Sequence, residues 1–420
     1  MIYKERFYMK EEWVKGHFGL EKESLRITRD GFLSKTKDPF MHSPYVTKDF
    51  CECQTEINTR VCSSPEQAIQ ALYEQIKYIQ NTLVNLDEPE LLWPFCNPPY
   101  IRNEKDIEIA EFEDPSKKEY REYLSNRYGK YKMALCGIHV NYSFSEDYIK
   151  EKWKDSNEDY FTFKNQFYLN VVQQAAKYGW LITMLCAASP VLDSSYSEKG
   201  VLGKTIFNGM ASMRCSDLGY WNSFSPYFDY SSIQNYASSI QKYVDTGLIA
   251  AFSELYYPIR LKPKGINSLS SLQENGANHI ELRMVDCNPL VKEGLDIRDL
   301  KFIELFLIWL SETQSDAMSL EEQIQAVQNF KNAAHYDLKT VKISIKGQDS
   351  FSGVKAGLKI IDQMKLLFKD CKSQMDILSF EEEKLENPEK RYAWILRKEY
   401  EKDFVSKGLK WALKQQEEAI

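Results

Sequence analysis

The sequence lacks an excess of basic residues, because 54 lysines and arginines stand against 61 aspartates and glutamates, for a formal net charge of −7. A nucleic-acid binder normally presents a basic face, so this balance argues against a nucleic-acid partner. Long apolar runs are also missing. The longest, Gly179 to Ala188, is too short to span a bilayer, and the run after Asp299 is interrupted by Glu304. We therefore expect no membrane partner either.

Targeting signals and paired cysteines are missing as well. Residues Met1 to Lys10 contain no apolar core of the kind that a secretory signal needs. The nine cysteines are scattered and odd in number, and the closest two, Cys51 and Cys53, have no second pair with which to complete a zinc site. This usage predicts reduced thiols in a cytoplasmic protein.

The chain does have enough apolar material for a sizeable core, with 420 residues of which 43% are hydrophobic. No internal repeat or low-complexity linker marks a second domain. We therefore predict one catalytic domain over residues 1–420. The sheet and the active site are expected within about 16–310, and a helical region over 299–420 is expected to support the sheet.

Helical spacing of apolar residues marks the rest of the architecture. Ser64 before a proline is typical of a helix start, and Ser319 with Glu322 predicts a capping box. The longer helical patterns cover Phe161–Ala188, Leu300–Leu310, Ser319–Ala334, Ala356–Phe368 and Tyr392–Ile420.

The stretch Gly19–Ile27 (GLEKESLRI) has the alternation of a β-strand, which places Glu21 and Glu23 on one face. Two carboxylates about 7 Å apart repel each other unless water or a cation lies between them. Magnesium prefers oxygen ligands and is common at phosphoryl-transfer sites, often more than one ion at a time. The alternative is an edge strand whose charges face solvent.

A second strand is predicted over Lys48–Arg60, with Phe50 and Glu56 on one face. Asp49 has the opposite parity. If Asp49 and Glu56 belong to one site, the strand must begin late or contain a bulge, as strands near active sites often do. The alternative is an ordinary polar strand that faces solvent.

The stretch Gly137–Phe144 (GIHVNYSF) also alternates, with His139 and Asn141 on one face and apolar side chains on the other. A histidine with polar neighbours on one side of a strand faces either solvent or a site. The pattern alone does not decide between the two.

A fourth strand is predicted over His279–Asp286, with Glu281 and Arg283 on one face. This pair is either a surface ion pair or a metal ligand beside an arginine that binds phosphate. Two irregular stretches, Arg214–Tyr220 and Glu254–Arg260, also combine arginine with tyrosine. They line either a small pocket or a packing interface.

Taken together, these stretches resemble glutamate–cysteine ligase of the bacterial type and are similar to the N-terminal module of bifunctional glutathione synthetases. The last hundred residues match only in being helical. Seven motifs match in order between about residues 16 and 310: Gly19–Ile27; Asp49-Phe50 with Glu56; Tyr120-Arg121 with Asn126–Gly129; Gly137–Asn141; Arg214–Tyr220; Glu254–Arg260; and Ile280–Arg283 with Asn288-Pro289.

The resemblance implies an α+β fold in which an antiparallel, funnel-like sheet of the glutamine-synthetase type surrounds the metals, with helices outside. It also implies an ATP-dependent ligase that forms γ-glutamylcysteine from L-glutamate and L-cysteine through a γ-glutamyl phosphate, the first step of glutathione biosynthesis. The implied ions are Mg²⁺ or Mn²⁺. Such ions, together with an arginine, suit the charge that develops on a transferred phosphoryl group.

The resemblance assigns roles residue by residue. Arg283 and Glu281 are the catalytic residues, with Arg283 at the transferred phosphoryl group. The implied metal shell consists of Glu21, Glu23, Asp49, Glu56, His139 and Glu281. The implied amino-acid pocket consists of Phe50, Tyr120, Arg214, Tyr220 and Tyr256.

The sequence departs from the family pattern in two places. Met133 stands six positions before His139, where family members have a glutamine near the amine-substrate site, and this leaves the identity of the amine open. The segment Phe112–Lys118 lacks the glycine-rich loop of the longer enterobacterial enzymes. No ATP-grasp domain follows the last motif, so we expect the reaction to stop at the dipeptide, unless a separate glutathione synthetase or a missing C-terminal domain completes glutathione.

Three other functions remain as alternatives. A ligase of the same fold could join glutamate or another carboxylate to a different amine. Clustered acidic residues with one histidine also suit a metal-dependent phosphohydrolase, such as a two-metal nuclease or phosphatase. A non-catalytic relative that binds an amino acid is the third, although a binding module has no need of six metal ligands.

Overall fold

The structure is a computed structural model that describes residues 16–313, 316–345 and 349–420. The stretch Met1 to Lys10, for which the sequence predicts no secretory signal, lies outside the described residues. Among the described residues, no helix combines the length and the apolar character needed to cross a membrane. All nine cysteines fall within the described ranges, and each is a free thiol.

The strands are short except for two. They are β1 (His17–Ile27), β2 (Val46–Lys48), β3 (Gln54–Asn58), β4 (Leu91–Leu92), β5 (Ile138–Ser143), β6 (Leu192–Asp193), β7 (Thr205–Ile206), β8 (Ile259–Pro263), β9 (Ala277–Val285), β10 (Lys342–Ile343) and β11 (Phe351–Ser352). Seven of them form an antiparallel sheet in the order β2-β3-β1-β5-β9-β8, with β4 paired to β1. This sheet is open.

Helices surround the sheet and fill the C-terminal part of the chain. They are α1 (Pro65–Val84), α2 (Pro115–Tyr128), α3 (Lys130–Met133), α4 (Glu146–Trp153), α5 (Tyr160–Tyr178), α6 (Trp180–Cys186), α7 (Ser194–Ser197), α8 (Ile233–Asp245), α9 (Leu269–Asn275), α10 (Ile297–Glu312), α11 (Leu320–Ala333), α12 (Gly353–Phe368), α13 (Lys372–Glu386), α14 (Tyr392–Tyr400) and α15 (Phe404–Ala419). The predicted α+β class with an antiparallel sheet is therefore confirmed.

Local sequence explains where the helices begin. The Ser64 side chain accepts a hydrogen bond from the Gln67 amide at the start of α1, with Pro65 in the first turn. At the start of α11, Ser319 and Glu322 form the predicted capping box, with both reciprocal hydrogen bonds present. Each cap satisfies amides that the first helical turn leaves without partners.

The predicted single strand over Lys48–Arg60 is wrong. The chain instead forms β2 and β3, which pair antiparallel across a turn at residues 49–53. The Asp49 amide donates to the Gln54 carbonyl at 3.1 Å, and the Gln54 amide donates to the Cys51 carbonyl at 2.9 Å. Asp49 therefore lies in a turn, where strand parity does not apply, and no bulge is needed to bring it near Glu56.

Two helical predictions also needed correction, and one helix was missed. The predicted helix over Phe161–Ala188 divides at Gly179, where a Cβ would lie 2.5 Å from the Ala175 carbonyl oxygen and 3.0 Å from the Phe330 ring. The helix predicted over Tyr392–Ile420 divides at residues 401–403, and Asp403 caps the second part. Helix α13 was not predicted.

The core lies between the sheet and the helices that pack on it. Along β9, the buried Ile280 and Leu282 alternate with Glu281 and Arg283, so that one face of the strand packs in the core and the other lines a cavity. Helices α5 and α6 pack against this strand, and α10 packs against α5 and α13. That the whole chain forms one catalytic domain stays a prediction.

Candidate active site

A cavity of about 320 Å³ lies on the face of the sheet that carries the polar side chains. All twelve residues predicted for the site line it: Glu21, Glu23, Asp49, Phe50, Glu56, Tyr120, His139, Arg214, Tyr220, Tyr256, Glu281 and Arg283. Met133 also lies in its wall. Sequence reasoning thus identified residues that the fold brings together from four strands, one helix and three irregular segments far apart in the chain.

Strand register brings the acidic residues together. In the pairing of β1 with β5, Glu21 lies opposite His139, and in the pairing of β5 with β9, Asn141 lies opposite Glu281. Residues paired across antiparallel strands have their Cβ atoms about 5 Å apart on the same face. Three neighbouring strands therefore present their polar side chains side by side.

The side-chain atoms form a compact cluster. His139 Nδ1 lies 2.9 Å from Glu21 Oε2 and 3.8 Å from Glu281 Oε1, while His139 Nε2 lies 3.8 Å from Glu23 Oε1. Asn141 donates to the other oxygen of Glu21 at 2.9 Å. Glu21, His139 and Glu281 each offer one ligand atom within 4.8 Å of the others, which is a spacing that one metal ion could bridge.

The remaining acidic residues are crowded in the same cavity. Burial, reinforced by the charge of Asp49, raises the pKa of Glu23 to about 8. Burial and the charge of Asp49 also raise the pKa of Glu56 well above its ordinary value, and burial raises the pKa of Asp49 itself. Carboxyl groups that hold protons because they are buried beside like charges would exchange those protons for a divalent cation.

The pKa values of His139 and Glu281 are both below their ordinary values, which is the direction that metal ligation requires. Burial and the nearby Arg283 lower the pKa of His139 to about 4, so the imidazole is neutral at physiological pH. Burial alone would raise the pKa of Glu281, but Arg283, Lys262 and Arg260 outweigh it and hold the pKa below its ordinary value. One oxygen of this buried carboxylate, Oε2, has no hydrogen-bond partner among the described residues.

Two arginines are fixed at the edge of the acidic cluster. Arg283 Nη1 donates to Glu281 Oε1 at 3.1 Å. Arg214 Nη1 donates to the backbone carbonyls of Arg283 at 2.7 Å and Val285 at 3.0 Å. The Arg214 guanidinium lies so close to Gly137 that a Cβ there would be 2.1 Å from Cζ, so a side chain at position 137 would displace the guanidinium.

Aromatic side chains line the other end of the cavity. The rings of Tyr220 and Tyr256 have centroids 5.7 Å apart, and the Tyr220 hydroxyl donates to the Leu135 carbonyl at 3.0 Å. The Ser253 hydroxyl donates to the Tyr120 hydroxyl at 3.0 Å. These rings come from α2 and from the irregular segments 214–222 and 252–258, so this end is built from loops and one helix.

A second cavity of about 310 Å³ meets the first. Glu21 and Lys262 line both. The walls of the second cavity are rich in side-chain amides: Asn58, Asn141, Asn267 and Asn278. Amide groups both donate and accept hydrogen bonds, which suits an uncharged polar ligand that extends away from the acidic cluster.

Sequence reasoning missed several residues of the first cavity. Lys262 Nζ lies 3.3 Å from Glu281 Oε1, and the alternation of β8 could have identified it, because Lys262 shares a face with Arg260. Arg121 stood beside Tyr120 in a matched motif but received no role. Trp221 and Phe330 reach the cavity from a loop and from α11, and no local pattern marks them.

The fold and the site define an α+β protein whose open antiparallel sheet presents clustered carboxylates beside arginines. A family model for glutamate-cysteine ligase matches residues 6–251 and 225–333 of the sequence. The chain therefore belongs to the glutamate–cysteine ligase family.

Known proteins that are similar to this chain support its assignment to the family. The glutathione biosynthesis bifunctional protein GshAB of Listeria monocytogenes serotype 4b is 36% identical over 92% of this chain and 52% of the relative. The chain thus spans about half the length of the curated relatives it matches. The crystal structure of a bifunctional glutathione synthetase from Pasteurella multocida aligns with a TM-score of 0.83 and 25% identity, over 97% of this chain and 53% of that one.

A shorter solved structure has the same fold. The glutamate–cysteine ligase of Francisella tularensis, solved in complex with AMP, aligns with a TM-score of 0.84 and 21% identity, over 96% of this chain and 89% of that one.

Proposed function

We propose that this protein is an ATP-dependent ligase that joins L-glutamate to L-cysteine and forms γ-glutamylcysteine, the first step of glutathione biosynthesis. The observation that carries the proposal is the cluster of Glu21, His139 and Glu281 beside Arg283, in one cavity with an aromatic end. Family membership supports it, since glutamate–cysteine ligase is the activity that gives the family its name.

The reaction has two steps. An oxygen of the glutamate γ-carboxylate attacks the γ-phosphorus of ATP and ADP leaves, which gives a γ-glutamyl phosphate. The amine nitrogen of cysteine then attacks the γ-carbonyl carbon, inorganic phosphate leaves, and the nitrogen loses a proton as the amide forms. Both steps place negative charge on phosphoryl oxygens, so catalysis depends on fixed positive charge and on positioning.

The acidic residues would hold Mg²⁺ or Mn²⁺. Six side chains form the proposed ligand set: Glu21, Glu23, Asp49, Glu56, His139 and Glu281. The chemistry of this set fits a hard divalent cation, because five of the six are carboxylates, the histidine is neutral, and Glu281 Oε2 is buried without a hydrogen-bond partner in the part of the chain that the structure describes. When bound, the ions supply the positive charge that neutralises the phosphoryl oxygens.

Arg283 is the proposed transition-state residue. Its planar guanidinium can donate two parallel hydrogen bonds to a phosphoryl group, which a lysine cannot do. The contact with Glu281 orients it before substrate arrives. The arginine therefore needs little reorganisation during the transfer.

We assign the two cavities to different substrates. The aromatic end of the first, with Phe50, Tyr120, Arg214, Tyr220 and Tyr256, would take the amino acids. The second cavity, rich in amides and joined to the first at Glu21 and Lys262, would take the uncharged base and ribose of the nucleotide, with the phosphates at the acidic cluster. ATP and the glutamate carboxylate would then approach the acidic cluster from opposite sides.

A second candidate is a ligase of the same fold that uses a different amine. The observation that favours it is Met133, which is buried in the wall of the first cavity. A thioether offers only a weak acceptor where an amide would offer strong donors and acceptors, so it selects against an amine with a polar group at that point.

The bifunctional relatives are named for glutathione biosynthesis. We propose that a glutathione synthetase, in whatever chain it resides, acts on γ-glutamylcysteine. A cytoplasmic location fits the nine free thiols.

Phosphate release from ATP tests the proposal, with magnesium and L-glutamate present and the amine varied: none, L-cysteine, or a panel of other amino acids and amines. We expect strong stimulation by cysteine and a product with the mass of γ-glutamylcysteine. Chelation of the divalent ions should abolish the reaction. Stimulation by another amine alone would establish the second candidate, and no use of ATP under any condition would contradict both.

A further inference from the structure

Three segments that carry the aromatic end of the first cavity meet at one buried carboxylate, that of Glu254. The side chain of Glu254 is fully buried and does not line the cavity. The three segments are α2, which carries Tyr120, the stretch 214–222, which carries Tyr220, and the stretch 252–258, which carries Tyr256. A buried carboxylate is costly unless its oxygens are satisfied, so its partners define what it holds together.

Glu254 bonds to α2 through one oxygen and to its own loop through the other. Glu254 Oε1 accepts a hydrogen bond from the Tyr128 hydroxyl at 2.7 Å and lies 3.1 Å from Arg127 Nε. A longer contact, 3.4 Å, joins it to the Tyr123 hydroxyl. Glu254 Oε2 accepts from the Ala250 amide. The carboxylate thus attaches the C-terminal turns of α2 to the loop before Tyr256.

Asn222 extends this network to the third segment. Its Nδ2 donates to the Glu254 carbonyl at 3.0 Å and to the Tyr128 hydroxyl at 3.1 Å. Its Oδ1 accepts from the Tyr256 amide at 2.8 Å. The rings of Tyr128 and Tyr256 also contact each other edge to face, with centroids 5.1 Å apart. We call Glu254, Asn222 and Tyr128 the clamp.

We propose that Glu254 is a positioning residue, which through the clamp fixes the relative placement of Tyr120, Tyr220 and Tyr256 and thereby sets the affinity for the amino-acid substrates. These rings lie on one helix and two segments outside the strands, so strand pairing does not fix the three rings relative to one another. Fixing them before substrate binds removes an ordering cost from binding. This inference rests on the proposed function for the assignment of that end to amino acids.

The substitution Glu254→Gln tests the clamp with little change in shape. A glutamine keeps one carbonyl oxygen but replaces the other acceptor by a donor and removes the charge beside Arg127. We expect KM for L-glutamate and L-cysteine to rise roughly tenfold, while KM for ATP changes less than twofold, because none of Glu254, Asn222 and Tyr128 lines the second cavity. Glu122→Gln, an exposed position on the same helix, is the matched control and should leave all three constants unchanged.

A merely structural role would lower the amount of active enzyme, and therefore kcat, while leaving each KM unchanged. An equal rise of KM for ATP, or no change in any KM, would overturn the proposal. Amide hydrogen exchange gives a second readout that needs no turnover. In Glu254→Gln we expect faster exchange in both 120–128 and 250–258, with β1 and β5 unchanged, and unchanged exchange in the two segments would overturn the clamp.

These readouts separate the two proposals. If the wild-type protein uses ATP with cysteine but Glu254→Gln behaves like wild type in both assays, the clamp is wrong and the proposed function stands. If the wild-type protein turns over no substrate, the proposed function is wrong, and the exchange experiment alone then decides whether the clamp joins α2 to the segment that carries Glu254.

Discussion

The acidic end and the aromatic end of the first cavity are built by different means. At the acidic end, backbone pairing of β1, β5 and β9 fixes which side chains are neighbours, and Glu21, His139 and Glu281 follow from that register. At the aromatic end, the side chains come from a helix and two irregular segments, and side-chain hydrogen bonds hold them together. A ladder of backbone hydrogen bonds is harder to deform than a few side-chain contacts. We therefore expect the charged groups of the acidic end to be held rigidly and the shape of the aromatic end to change more easily.

The difference suggests where variation is tolerated. Phosphoryl transfer demands fixed charge, since a small displacement of a charged group costs much of its effect on the transition state. Recognition of an amine depends on the shape and polarity of the wall that it meets, which loops can change without disturbing the sheet. Met133, which bears on the identity of the amine, lies in the wall of this cavity and outside the strands of the sheet.

The largest effect is expected at the acidic end. Glu281→Gln should abolish magnesium-dependent turnover, with a loss in kcat of at least about 10³-fold, because it removes a carboxylate at the centre of the cluster. Circular dichroism should show the fold unchanged. Turnover at the wild-type rate would remove Glu281 from the proposed ligand set. It would also contradict the argument that catalysis depends on the fixed charges of the acidic end.

A smaller effect is expected at Arg283, which donates a hydrogen bond to the Glu281 carboxylate. Arg283→Lys should lower kcat by roughly 10²-fold with a smaller change in KM for ATP, because a point charge cannot replace a planar fork at the transferred phosphoryl group. Steady-state kinetics with each substrate varied in turn would measure this. A change confined to KM for ATP would contradict a role in the transition state.

A third prediction tests where the two ends meet. Gly137→Ala should displace the Arg214 guanidinium, since the new Cβ would overlap Cζ. We expect kcat/KM for the amino acids to fall about tenfold and KM for ATP to stay nearly constant. In an Arg214→Lys background the same substitution should cost less, because the clashing group is gone, and additive effects in this double-mutant cycle would contradict the argument.

The acidic end and the aromatic end also differ in how well the sequence predicts them. Period-two alternation identified the pairs Glu21 with Glu23 and Glu281 with Arg283, because a strand has only two faces. It failed at Asp49, where a turn replaces the strand and parity has no meaning. Resemblance, not periodicity, supplied the residues of the aromatic end.

The clamp could not be found from local pattern. Glu254 lay within a matched motif, yet its main partner, Tyr128, is 126 residues away. Nothing in the composition of either stretch links them, since the contact exists only once α2 is folded against the loop. Long-range side-chain networks of this kind depend on tertiary packing that one sequence does not reveal.

The smallest effect on activity, and a clear effect on stability, is expected behind the sheet. Burial raises the pKa of Glu304 on α10 to about 7, although its Oε1 accepts from the Gly16 amide at 3.0 Å and contacts the Tyr142 hydroxyl at 3.4 Å. Its ordinary value is 4.5, so the stabilising contribution of the protonated form is complete below that pH and is lost as the pH rises through about 7.

Glu304→Gln cannot ionise and keeps the acceptor oxygen. The free energy of unfolding of wild type should therefore fall relative to Glu304→Gln between pH 4.5 and pH 7, by at most about 3 kcal/mol. Urea unfolding of both proteins at pH 5 and pH 8 measures the difference, and parallel pH dependence would contradict the burial argument.

The same substitution should leave activity unchanged. Tyr142, which contacts Glu304, is on the face of β5 opposite His139, so every KM of Glu304→Gln should equal that of wild type at pH 7.5. A rise in KM for the amino acids alone would mean that the aromatic end depends on the sheet more than its own contacts indicate.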